Sequence, residues 1–240
     1  MLDQPTPTIK EQRDLKQQDK ERRRQAAARQ GRTKTIITWS IVGLVVAGII
    51  ALIVLSGGGS SGAVAPVTDQ DHVQGPRTAK AAVIEYSDFQ CPACGAYYPI
   101  MKDLEQKYGD KLALVYRHYP LTQLHQYAEL AAQSAEAANL QGKFWEMHDL
   151  LFERQDSWSK ASNAKQTMID YANELKLDVA KFTSDLDSTA VKDRVNRDVL
   201  SGNAVGISGT PTFFLNGAKL TNPGSADAFG KLIDAQLATK

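Results

Sequence analysis

The stretch VIEYSDFQCPACGAYYP, Val83 to Pro99, holds both cysteines of this 240-residue chain. An apolar, β-branched run, AAVIEYS, leads into it and reads as a buried strand. Cys91 follows the strand and precedes Pro92, a residue favoured in the first position of a helix, where its missing N–H is not needed. The sequence therefore predicts a helix that starts at the cysteines and stops near Tyr108 and Gly109. Cys91 sits at its N-terminus, where free N–H groups and the helix dipole stabilise a thiolate. Cys94 lies one turn further in and less exposed.

Three chemistries compete for such a pair. Structural zinc takes about four N or S ligands; here there is one Cys pair, and His72, His118, His125 and His148 show no ligand spacing to it. A structural disulfide gains with the size of the loop it closes, and this loop is very short. A redox dithiol needs one easily ionised sulfur and one resolving sulfur, which is the asymmetry this placement supplies. The pair reads as redox-active, with no metal and no cofactor.

Outward from the dithiol, KLALVYRHY (Lys111–Tyr119) reads as a second strand closed by Pro120. The signal from about 121 to 205 is helical, with SDLDSTAVKDRVNRDVLSGNA as its last helix. TPTFFLNGAKLT (Thr210–Thr221) reads as two strands joined by a turn at Asn216 and Gly217. A final helix follows Ser225 as its N-cap. This order describes an α/β sheet carrying an all-helical insertion. Phe144, Trp145, Met147, Leu151 and Phe152 fit the core face of an insertion helix, and Arg194 and Arg197 a solvated face. His118 and His125 read as surface or packing residues.

The N-terminal third is organised differently. Residues 1–35 carry ten Lys and Arg against five Asp and Glu, while the rest carries 18 basic against 22 acidic residues. No charge occurs from Thr35 to Thr68, and Ile36–Leu55 is almost unbrokenly apolar. Twenty such residues in a helix span a hydrocarbon core of about 30 Å. The run exceeds the usual apolar stretch of a cleaved secretory signal. The basic tail places residues 1–35 in the cytoplasm, 36–55 as a single transmembrane anchor in the cell membrane, and the C-terminal part outside. Nucleic acid is the lesser explanation for the run KERRRQAAARQGR. Residues 56–76, rich in Gly and Ser, read as a tether reaching about 25 Å on average, and 77–240 as the folded domain.

Taken together, VIEYSDFQCPACGAYYP and GISGTPTFFLNG resemble the thioredoxin-like superfamily, most closely its DsbA-like thiol:disulfide oxidoreductases, over about residues 80–240. The resemblance implies a thioredoxin-like fold with an all-helical insertion, preceded here by one transmembrane helix. It implies a cis bond before Pro211, set beside the dithiol, and a substrate peptide pairing with Thr210. Glu85 is an acid inside an apolar strand, where burial raises its pKa; the resemblance places the family's buried acid there, moving protons to and from Cys94. Pro99 matches a helix-kinking proline. Outside the cytoplasm disulfides persist, so the dithiol is expected to oxidise exported protein substrates with free thiols. A quinone-linked membrane thiol oxidase would then re-oxidise it. Where strong oxidants of this family carry His before the second cysteine, this chain has Ala93, which implies a less oxidising pair. Reduction or isomerisation is the first alternative. The second is a non-catalytic binding or metal-delivery module, with Met101 and His118 as the added ligands copper would require.

Overall fold

The computed structural model describes residues 64–239. The expected basic tail, membrane span and first part of the tether lie outside the described residues. Among the described residues, no helix is long and apolar enough to cross a membrane.

The strand expected before the cysteines is β2 (Ala81–Ser87), and the helix expected after them is α1 (Pro92–Tyr108), with Cys91 as N-cap, Pro92 at its start and Pro99 inside it. Gly109 ends α1 at φ 48°, a backbone region that favours glycine. β3 (Leu112–His118) pairs in parallel with β2. After the insertion come β4 (Thr212–Leu215) and β5 (Ala218–Lys219), both antiparallel to their neighbours. Asn216 (φ 48°) and Gly217 (φ 88°) make the two-residue turn between them, both in the left-handed region that such a turn requires. The closing helix is α8 (Ala226–Ala238), where the Ser225 hydroxyl accepts a hydrogen bond from the Ala228 N–H at 3.2 Å.

One strand was missed. His72–Gln74, assigned from sequence to the tether, forms β1, antiparallel to β3 at the sheet edge. The sheet order is therefore β1-β3-β2-β4-β5. Three residues are too few for a period-two pattern, and a Gly- and Ser-rich approach hides them. A buried polar staple holds this edge: the Arg117 guanidinium donates to both oxygens of Asp71 at 2.8 and 3.1 Å. It also donates to the Tyr86 hydroxyl at 3.0 Å and the Pro66 carbonyl at 3.1 Å. Asp71→Asn, which keeps the shape and removes the charge, is expected to cost about 2 kcal/mol, the worth of a hydrogen bond to a charged group. Urea denaturation followed by tryptophan fluorescence should show a lower midpoint at unchanged slope; an unchanged midpoint would mean that this segment contributes nothing to the fold.

The insertion between β3 and β4 is all-helical, as expected: α2 (Ala128–Asn139), α3 (Phe144–Glu153), α4 (Gln155–Trp158), α5 (Ala164–Glu174), α6 (Val179–Leu186) and α7 (Thr189–Ala204). The single helix expected over 184–204 is instead two. Ser188 interrupts it and caps α7, its hydroxyl accepting from the Val191 N–H at 3.3 Å. Phe144, Met147, Leu151 and Phe152 are buried with Trp145 packed beside them, the core role expected for them. Arg194 departs from expectation: it is only 11 % exposed, its Nη1 2.6 Å from Asp198, while Arg197 is on the surface. Helix spacing alone put both on one face; Arg194 turns toward Glu136 of α2, which separates them.

Candidate functional site

The sheet faces α1 through Val83, Glu85 and Ser87 of β2, with Leu114, Tyr116 and His118 beside them in register on β3. At the end of β2 the chain turns through Asp88, whose carboxylate accepts from the Gln90 N–H at 2.7 Å and the Leu121 N–H at 2.9 Å. His125 Nδ1 lies 2.7 Å from the same carboxylate. The turn before the cysteines is thus tied to the loop after β3. From the insertion, Gln155 donates to the Phe89 carbonyl at 2.7 Å and the Cys91 carbonyl at 2.9 Å. These bonds fix the backbone that aims both sulfurs.

Both thiols are free, with Cys91 7 % and Cys94 1 % exposed. Their environments push them in opposite directions. A hydrogen bond from the Cys94 thiol, helped against burial by the Cys94 and Ala93 N–H groups and the Thr210 hydroxyl, pulls Cys91 down to about 5. Backbone amides at the helix start and a neighbouring thiol therefore supply the stabilisation that Ala93 cannot. Burial, reinforced by the hydrogen bond given to Cys91 and by the charge of Glu85, pushes Cys94 far above the ordinary thiol range.

Across the groove, the Thr210–Pro211 bond is cis, as the resemblance implied. The Cys91 sulfur lies 3.5 Å from the Thr210 carbonyl oxygen. The Thr210 hydroxyl is buried and has no other partner among the described residues, which leaves it to the sulfur. Asn222 donates to the Pro211 carbonyl at 2.8 Å, anchoring this loop. The structure thus brings Cys91, Cys94, Thr210 and Pro211 together.

Glu85 lies beneath them. Its side chain is half-buried and borders a cavity of about 30 Å³, with room for a water molecule, lined also by Val83, Tyr98, Met101, Lys102, Tyr116 and His148. Burial, partly opposed by the Ser87 hydroxyl and added to by the Cys91 charge, raises Glu85 to about 7. Two hydroxyls that the sequence did not single out complete this floor. Ser87 and Tyr116 are buried, the first turned toward Glu85 and the second with no hydrogen-bond partner for its hydroxyl among the described residues. Ser87, two residues beyond Glu85 on one strand, was legible as its same-face neighbour; Tyr116 depends on the β2–β3 register and was not.

The metal-delivery candidates do not gather at the sulfurs. His118 is buried with its Nε2 2.8 Å from Glu136, and Met101 packs toward the cluster of Val83, Leu114 and Phe213. Among the described residues, no His, Asp or Glu pair joins the cysteines as a group of three close ligand atoms. His118 lies in the core against Phe89 and Tyr116, and His125 is held by Asp88.

Comparisons with known proteins agree with this geometry. The family model described as "Thioredoxin" matches residues 67–235. The chain is 41 % identical over 171 residues to a Na(+)/H(+) antiporter, NhaA 3, of Salinispora tropica, covering 71 % of this chain and 25 % of that protein. It is 43 % identical over 151 residues to NhaA 1 of Salinispora arenicola, covering 63 % of this chain and 22 % of that one. The chain thus spans about a quarter of the length of these curated relatives. Among solved structures, oxidised BdbD from Bacillus subtilis superposes with a TM-score of 0.65 at 22 % identity, over 72 % of this chain and 96 % of that one. Alpha-DsbA1 of Wolbachia pipientis gives 0.64 at 23 %, over 74 % and 95 %. At those identities the likeness is one of fold. The chain belongs to the thioredoxin family, and its folded part has the DsbA-like architecture of a thioredoxin sheet interrupted by helices.

Proposed function

We propose that this chain is a membrane-anchored thiol:disulfide oxidoreductase that forms disulfides in exported proteins by exchange at Cys91-Pro92-Ala93-Cys94. The observation that carries the reading is the placement of two adjacent sulfurs, Cys91 at a helix start beside the cis Thr210–Pro211 bond and Cys94 in the core, which favours thiolate at the first and thiol at the second. In the oxidised enzyme a substrate thiolate attacks the Cys91 sulfur. The Cys91–Cys94 bond breaks, a mixed disulfide forms at Cys91, and the Cys94 sulfur leaves with the electron pair. Glu85, protonated in part near neutrality, is the nearby acid that returns a proton to it. A second substrate thiolate then attacks the substrate sulfur of the mixed disulfide, and Cys91 departs as the stable thiolate. The substrate has lost two electrons and the enzyme holds a dithiol. An extended substrate strand pairs with the Thr210 backbone beside Pro211. Re-oxidation falls to a separate quinone-linked membrane thiol oxidase, since the chain has no other cysteine.

The test is trapping. In Cys94→Ser the Cys91 thiolate can still attack a disulfide of an exported protein, releasing one substrate thiolate, and no Cys94 remains to resolve the product, so in cells it is expected to accumulate mixed disulfides. An empty trap would refute exchange at this site. Ala93 is the one observation favouring the reductase direction. A reduction potential below about −250 mV, near that of thioredoxin, would shift the reading to a reductase.

A further inference from the structure

Away from the dithiol, the fold gathers three residues that the sequence keeps apart. His72 from β1, His118 from the end of β3 and Glu136 from the middle of α2 are all buried, with one potential ligand atom from each within 4.8 Å of the others. His72 Nε2 lies 2.6 Å and His118 Nε2 2.8 Å from the same oxygen, Glu136 Oε1. The His72 ring is stacked flat on Phe144, centroids 3.4 Å apart and 7° from parallel, which fixes where its nitrogens point. Arg194 Nε stands 3.7 Å from the same Glu136 oxygen, but its Nη1 is 2.6 Å from Asp198, so a second carboxylate answers that guanidinium. The two carboxylates and one guanidinium leave a net negative charge at the cluster. A cleft of about 430 Å³, bordered by His72, Asn139, Phe144, Trp145, Arg194 and Arg197, connects the cluster with solvent.

We propose that His72, His118 and Glu136 form a binding site for a divalent transition-metal ion, zinc in preference to harder cations. Two imidazole nitrogens and one carboxylate oxygen are a donor set zinc takes at about 2.0–2.2 Å, with the fourth tetrahedral position held by water. Such bonds set ligand atoms about 3.3 Å apart, so the two short contacts have to open by only about 0.5–0.7 Å. Calcium is poorly served, because it takes six to eight oxygens. Loading at Nε2 leaves the imidazole proton on Nδ1, which then needs an acceptor. His118 Nδ1 is buried and has no hydrogen-bond partner among the described residues, which leaves it free to carry that proton. Of the three ligands, His72 borders the cleft. A bound ion would pin the edge strand β1 to β3 and to the insertion.

The experiment uses the full chain in detergent with Cys91→Ser and Cys94→Ser, so that no thiol competes for metal. Titration with Co2+ is expected to give the visible absorption of a tetrahedral site saturating at one equivalent, and Zn2+ should displace it. Zn2+ at a hundredfold excess over Kd should raise the thermal midpoint by about 5–10 °C. His72→Phe, which keeps the stacked ring and removes the donor, should weaken binding by about 100-fold or more. Absence of the tetrahedral signal, an unmoved midpoint, or unchanged affinity in His72→Phe would overturn the proposal. Should His72→Phe fail to fold, imidazole 15N spectra of the chain retaining His72 decide: the Nε2 resonances of His72 and His118 must both shift with Zn2+, and unshifted resonances overturn it. None of these outcomes depends on thiol exchange.

Discussion

Replacing Cys91 with serine is expected to abolish dithiol–disulfide exchange, reducing turnover of a thiol substrate to the uncatalysed background. The hydroxyl that replaces the sulfur can form no mixed disulfide, and Cys94 is too buried to take over, at 1 % exposure. The same sulfur sets how the pair responds to pH. A thiol whose folded pKa is lowered to about 5 stabilises the reduced fold fully only above the ordinary thiol pKa, and that stability is lost as pH falls through 5. The disulfide form has no such titration. Between about pH 5 and pH 8, reduction therefore takes up two electrons and one proton, and the potential should fall by about 30 mV per pH unit. Below pH 5 a second proton enters and the slope should approach about 59 mV per unit. Alkylation of the reduced protein provides the direct check, its rate rising with a midpoint near 5. A midpoint near the ordinary 8.5 would remove the basis of the proposed function.

The sequence showed the dithiol clearly because its geometry is local: a strand, a proline at a helix start and two residues between the cysteines. The hairpin at Asn216 and Gly217 was legible for the same reason, since positive φ at two consecutive residues is a property of those side chains. What stayed hidden depends on register and long-range packing. Tyr116 meets Glu85 only because β2 and β3 pair in parallel with those residues opposite. Gln155 reaches the Cys91 carbonyl from a helix 64 positions away. β1 was invisible because three residues gain their strand character from the neighbour they pair with. Arg194 looked solvated because spacing on a helix does not reveal what the helix packs against. Thr210 and Pro211 were placed by resemblance, and the structure sets them across the groove from Cys91.

Glu85→Gln is the second large effect expected, and it separates stability from catalysis. Burial raises Glu85 from 4.5 to about 7, so the folded state disfavours the charged carboxylate. Below pH 4.5 both folded and unfolded chains hold the proton and no penalty exists. As pH rises from 4.5 to 7 the unfolded chain releases it first, and stability declines; above 7 the full penalty stands. The glutamine variant escapes this, and should be more stable than the parent by about 3 kcal/mol at pH 8 while matching it at pH 4. Activity should move the opposite way. The Cys94 sulfur, strongly basic in its buried position, needs a proton as it leaves, and loss of the acid should slow substrate-thiol attack on the oxidised enzyme by about 100-fold. The parent's pH–rate midpoint near 7 should vanish with it. Tyr116→Phe offers the finer reading: removing a hydroxyl from the cavity that Glu85 borders leaves the carboxylate less solvated, so that midpoint should move upward. A glutamine variant that is more stable at pH 8 yet equally fast would make Glu85 a buried acid without a part in the chemistry. One that is neither more stable nor slower would place the carboxylate in free exchange with water through the cavity it borders and remove it from the proposed chemistry.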